Sequence, residues 1–227
     1  MKLLRILVAV AALAICVSPT LAVERVSITP LPSPLTLERS VISLHALNGC
    51  GALYSNLVNQ SGYYFAGGAA VEVADDCHML AAGHLCGIDF AYYKSTPGTT
   101  VATIVFYAND PLDNTPPGVV LAGPYTVSGL PTGPNLIHVD LEAGTGPPDL
   151  TSDIWLGVTF STASTGLIMA DPPETGSSDD LFYLTPPGQY TWFGGSPVAS
   201  FMLAVYGNEL ATPAAVTTWG RIKQLYR

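Results

Sequence analysis

From residue 41 onward the chain repeats one pattern. Short runs in which every second residue is apolar are separated by clusters of Gly, Pro, Asn and Asp. A period of two sends successive side chains to opposite faces of a strand, so each run predicts a strand with one buried face. The clearest run is 100–107: Val101, Thr103, Val105 and Tyr107 share one face, and Ala102, Ile104 and Phe106 the other. In 136–141, Ile137, Val139 and Leu141 point inward, opposite His138 and Asp140. In 154–160, Ile154, Leu156, Val158 and Phe160 oppose Trp155 and Thr159. Residues 201–206 read as a run buried throughout, and 87–93, 125–128, 166–170, 181–184 and 190–193 are further strands of the same kind. Asn109-Asp110-Pro111 and Thr115-Pro116-Pro117-Gly118 are turn chemistry that ends the first run. About ten to twelve strands without intervening helical periodicity predict an all-β fold: an antiparallel, jelly-roll-like β-sandwich.

The two ends break the pattern. Residues 1–22 carry Lys2 and Arg5, then the apolar stretch 6–17, then Thr20-Leu21-Ala22, the layout of a secretory leader with its cleavage site. The apolar stretch is shorter than the ~20 residues a membrane helix needs, and no later segment approaches that length. Cys16 invites comparison with a lipid-attachment box, but Ile15 stands where such boxes carry a small residue. Residues 23–40, with Pro30, Pro32 and Pro34, predict an extended lead-in, and 41–210 the sandwich itself. In 211–227, Thr218 is positioned to cap a short tail helix. Trp219, Ile222 and Leu225 or Tyr226 fall there at helical spacing.

Composition sharpens this picture through charge. The 227-residue chain has 22 Gly and 19 Pro without a collagen period, is 48% hydrophobic, and is only 11% charged with a net charge of −9. Loss of the leader removes Lys2 and Arg5 and takes the net charge to −11. Lys94 is the one base between residues 40 and 220, whereas Arg221, Lys223 and Arg227 crowd the last seven positions. An acidic body cannot neutralise phosphates, which excludes nucleic acid as a partner. It leaves divalent cations and basic surfaces, including the tail of another copy.

Three cysteines follow the leader. In an oxidising compartment one pair and one leftover thiol are expected, with Cys77 and Cys86 the first choice across the turn at 81–84 and Cys50 allowed with either. Cys77-His78 and His84-x-Cys86 contain zinc-type donors, yet the usual C-x2-C or H-x3-H spacing is missing, which favours the disulfide. There is no nucleophile elbow G-x-S-x-G and no recognisable catalytic spacing among the four histidines, so the chain reads as a non-enzyme. Asp75 and Asp76 are adjacent, which on a strand sends them to opposite faces and prevents them from acting as a carboxylate pair unless the chain bends there.

Two acidic loops suit calcium: one with Asn109, Asp110, Asp113 and Asn114, the other with Asp171, Glu174, Ser177, Asp179 and Asp180. Neither follows an EF-hand or another repeat, and turn chemistry alone accounts for such residues. Tyr190, Trp192 and Phe193 before Gly194-Gly195 are candidates for stacking on sugar rings, with Tyr92 and Tyr93 behind them.

Several stretches, taken in order, resemble uncharacterised secreted bacterial β-sandwich domains. They are Val73-Ala74-Asp75-Asp76 with Gly87-Ile88-Asp89-Phe90, Phe106-Tyr107-Ala108-Asn109-Asp110 with Pro117-Gly118, and the 155–160 run WLGVTF. Asp171-Pro172-Pro173 and Gly176-Ser177-Ser178-Asp179-Asp180 complete the set, which covers most of 63–206. Cys77 departs from the pattern, which has an aromatic there. The 218–227 tail is similar to short C-terminal tails of exported bacterial proteins. The resemblance implies an extracellular or cell-surface location and no reaction. Two functions follow as expectations. One is a non-enzymatic surface, matrix or appendage component that self-assembles through a tail of Trp219, Arg221, Ile222, Lys223, Tyr226 and Arg227. The other is a carbohydrate-binding module, with calcium as its candidate cofactor and polysaccharide as its partner.

Overall fold

The computed structural model describes residues 24–32, 37–42, 50–109, 118–141 and 148–210. The leader, Asp110, Asp113 and the whole tail lie outside the described residues. β1 (Glu24–Arg25), β2 (Thr29–Pro30) and β3 (Glu38–Ile42) are followed by β4 (Gly51–Ser55), β5 (Gln60–Phe65), β6 (Glu72–His78) and β7 (Gly83–Lys94). Next come β8 (Thr100–Ala108), β9 (Val120–Leu130), β10 (Gly133–Asp140), β11 (Asp149–Leu150) and β12 (Asp153–Phe160). β13 (Thr165–Ala170), β14 (Phe182–Thr185), β15 (Gln189–Trp192) and β16 (Leu203–Glu209) complete the order, with no helix among the described residues.

The strands form two sheets packed face to face. The smaller runs β1-β15-β14-β6-β12-β8-β9, and the larger runs β2-β5-β13-β7-β10-β3, with β16 joining β7 to β4 and β11 beside β7. Pairing is antiparallel except at two margins, where β1 lies parallel to β15 and β3 parallel to β10. From β6 onward most steps cross from one sheet to the other, and β8–β9, β10–β11 and β14–β15 stay within a sheet, a jelly-roll-like habit. The antiparallel sandwich predicted by the alternation is therefore the fold, and each run named above falls within or overlaps a strand. Of the lead-in, residues 24–32 and 37–40 are described. Its Leu31 and Leu37 pack against a small cluster of Tyr64, Ala91, Ile168, Ala170 and Met202.

The inter-sheet core confirms the predicted faces. Ala102, Ile104 and Phe106 of β8, Ile137 and Val139 of β10 with Leu141, and Ile154, Leu156, Val158 and Phe160 of β12 are all buried in it. Opposite them on β10, His138 is not solvated. Its Nδ1 meets Asp89 at 2.5 Å, its Nε2 meets Asp140 at 3.0 Å, and the Tyr206 hydroxyl donates to Asp89 at 2.9 Å.

The cysteine pairing differs from the first choice. Cys50 and Cys86 are bonded, with Cα atoms 6.4 Å apart, and Cys77 is a buried free thiol. The segment at 81–84 is a crossover between sheets, not a hairpin turn. It leaves Cys77 on β6 facing the inter-sheet core, while Cys86 lies on β7 of the other sheet. Cys86 sits where the β7–β16 register shifts, between Gly87 opposite Tyr206 and Leu85 opposite Gly207.

Candidate functional site

On β6 the alternation separates two chemistries. Asp75 and Cys77 face the core, and Asp76 and His78 face outward. The inward carboxylate of Asp75 is fully buried and accepts the Phe201 N–H at 3.0 Å through Oδ2. Burial, and then the neighbouring charge of Asp76, push its pKa well above the carboxylate range.

The outward pair opens onto a cleft of about 210 Å³ lined by Asp76, His78, Asn109, Trp155, Asp179, Leu181 and Tyr190. Antiparallel register puts Asp153 opposite His78 and Trp155 opposite Asp76, so β12 supplies two of the neighbours. The loop after β13 supplies Asp179. It is pinned to the end of β6 by reciprocal backbone bonds between His78 and Ser177, of 2.9 and 3.0 Å. Gly176 makes this approach work: its φ is +78°, and a Cβ there would lie 2.4 Å from the His78 carbonyl oxygen.

Within the cleft, Asp76 accepts the Asp179 N–H at 2.8 Å and the Ser178 hydroxyl at 3.1 Å. His78 Nε2 lies 3.0 Å from Asp76 Oδ2 and 3.8 Å from Asp179 Oδ2, and its Nδ1 meets Asp153 Oδ1 at 2.8 Å. Burial raises the pKa of Asp76 to about 6, against the stabilising Asp179 N–H and His78. Burial opposes the charge on His78, but the bond to Asp153 and the carboxylates of Asp76 and Asp179 outweigh it and raise its pKa. The same bond lowers the pKa of Asp153.

Aromatic rings form the adjoining wall. Trp155 and Tyr190 are 5.8 Å apart between centroids, and Tyr183 packs edge-on against Tyr190 at 5.4 Å. Trp155 Nε1 donates to Asn109 Oδ1 at 3.3 Å. Farther along this outer face, Tyr107 donates to Glu72 at 2.9 Å, and burial raises the pKa of that carboxyl group.

Three candidate groups that are separate in the sequence thus converge. Asn109 comes from the first acidic loop, Asp179 from the second and Tyr190 from the aromatic run. Their former companions do not join them. Phe193 is no platform: it is buried against Phe182, Phe65 and Phe201, with its ring 4.9 Å from that of Phe182. Trp192 is exposed at the strand end. Asp180 caps the Ala199 N–H at 2.7 Å, Glu174 holds Ser55 and the Leu57 N–H, and Asp171 follows β13 in the other sheet. Turn and strand-end chemistry disperses the second loop, and of its acids Asp179 alone joins the cluster with Asp76 and His78 among the described residues. Sequence reasoning missed Asp76, His78, Asp153 and Trp155 as site residues. The D-x-H spacing of Asp76 and His78, which places both on one face of a strand, was the signal available.

No family model, no curated protein and no solved structure matches the chain.

Proposed function

We propose that this is an extracellular, non-enzymatic β-sandwich whose cleft binds carbohydrate. The observation that carries the reading is the union of aromatic walls, Trp155 and Tyr190, with convergent polar groups, Asp76, His78 and Asp179, in one cleft on the outer face of the smaller sheet. Sugar rings present just these two faces, apolar C–H surfaces for stacking and hydroxyls for carboxylate and imidazole partners. The leader-like start, the disulfide and the ordered likeness to secreted domains support the location.

Two features favour binding over catalysis. The Ser178 hydroxyl is bonded to Asp76 and not to the ring of His78, so the cluster lacks a serine–histidine pair. The donor atoms of Asp76 and Asp179 lie within 4.8 Å of one another, tighter than the ~5–5.5 Å or ~6.5–9.5 Å carboxyl spacing of glycosidases. Glycan arrays and polysaccharide pull-downs on the purified protein test the reading. Retention on at least one polysaccharide is expected, weakened about tenfold in Tyr190→Ala, the loss of one stacking contact. Absence of retention on every glycan overturns it.

A further inference from the structure

The acidic end of the cleft holds more than hydrogen-bonding groups. We infer that Asp76, His78 and Asp179 form a mononuclear site for a borderline divalent cation of the zinc class, with Asp153 orienting the histidine. The inference goes beyond carbohydrate binding and stands without it.

The donor set comes first. One imidazole nitrogen and two carboxylates offer three donor atoms all within 4.8 Å of one another, with His78 Nε2 at 3.0 and 3.8 Å from the two carboxylate oxygens. A tetrahedral ion with bonds of about 2.0 Å separates its ligands by about 3.3 Å, midway between these distances. Small side-chain adjustments would bring the three groups onto one ion.

The histidine is also set in the orientation such a site needs. Its Nδ1 lies 2.8 Å from the Asp153 carboxylate, and with the proton on Nδ1 its Nε2 lone pair faces Asp76 and Asp179. A carboxylate behind a histidine raises ligand basicity and holds the ring, as in carboxylate–histidine–zinc arrangements. Asp76 is likewise held before any ion arrives, by the Asp179 N–H and the Ser178 hydroxyl. The open space of the cleft leaves room for water or an incoming ligand in the remaining coordination positions.

Donor chemistry then selects the ion. Calcium takes six to eight oxygen ligands, and this set supplies two carboxylates and a nitrogen. Asn109, an amide oxygen in the lining of the cleft, is engaged by the Trp155 indole. Imidazole with carboxylate suits zinc and its first-row neighbours. The rival arrangement needs no ion: an imidazolium held between Asp76 and Asp153.

Calorimetry on the purified, EDTA-treated protein, with zinc, cobalt(II) and calcium titrated separately, decides between them. The expected result is one equivalent of zinc, at least 100-fold weaker calcium, and loss of that equivalent in His78→Ala. Asp153→Asn is expected to weaken zinc by 10- to 100-fold. His84→Ala, at the exposed His84–Asp149 pair on the other sheet, is expected to retain full binding. Should His78→Ala misfold by circular dichroism, Asp179→Asn on the loop carries the same expectation. No zinc uptake, uptake unchanged in the cleft variants, or a preference for calcium each overturns the site. Because the readout is the metal alone, its failure is distinguishable from failure of glycan retention.

Discussion

At the scale of single residues, β6 shows how one dipeptide is divided between two solvents. Asp75 and Asp76 are neighbours, yet one is fully buried on the core side and the other faces the cleft. Because the Asp75 side chain is fully buried and accepts the Phe201 N–H, a bond that an amide oxygen can also accept, Asp75→Asn is expected to change stability by less than about 1 kcal/mol. Asp75→Ala strands that N–H and is expected to cost about 1–3 kcal/mol, read by denaturant unfolding. Asp76 follows a different linkage. Its folded pKa of about 6 lies above its ordinary value of 3.8, so its protonated form favours the native state. That contribution is complete below about pH 4 and is lost as pH rises through about 6. In metal-free protein, Asp76→Asn is expected to flatten this fall across unfolding measurements from pH 4 to 7. His78 has its folded pKa above the ordinary 6.5, and NMR titration is expected to show it returning downward in Asp153→Asn.

Among the elements, the connections decide most. Alternating runs made β8, β10 and β12 legible, down to the residues on each face, because their apolar sets have period two. β6 was not among the runs singled out, since Glu72, Asp75, Asp76 and His78 break the apolar alternation. What makes it a strand is tertiary: β12 and β14 pair with it on both sides. The site was legible only in fragments for the same reason. Asn109, Asp179 and Tyr190 could each be singled out, but their meeting depends on strand order, which local pattern does not encode. The cysteine pairing was misjudged on that account too, because a nine-residue step from Cys77 to Cys86 looks like a hairpin and is a crossover. The Cys50–Cys86 bond closes a span of 36 residues, so Cys50→Ser is expected to cost about 2–4 kcal/mol of stability, with a lowered Tm by calorimetry. Gly176→Ala forces a Cβ toward the His78 carbonyl and is expected to cost about 2–4 kcal/mol while loosening ligand binding in the cleft.

Over the whole molecule, charge was the feature most visible in advance: an acidic body with its bases gathered at the end. The described residues carry the acidic part, and the tail expected to mediate assembly lies beyond them. Deleting residues 217–227 tests that expectation separately from the cleft. Impaired export, surface localisation or assembly, with glycan retention unchanged, is the outcome expected of a sorting or assembly tail. Unchanged export, localisation and assembly would remove the case for one.

The groups that meet at the end of β6 are far apart along the chain: Asp76 and His78 from one strand, Asp153 from another, Asp179 from a loop beyond β13. No local fragment contains the cleft, and its polar end exists only after β6, β12 and the 171–180 loop have come together. Such long-range closure is slow to form. Occupancy of the cleft therefore reports completed folding. A ligand that binds only the native chain holds the finished form in place, while a chain cleaved and dissociated between residues 78 and 153 offers that ligand nothing to hold.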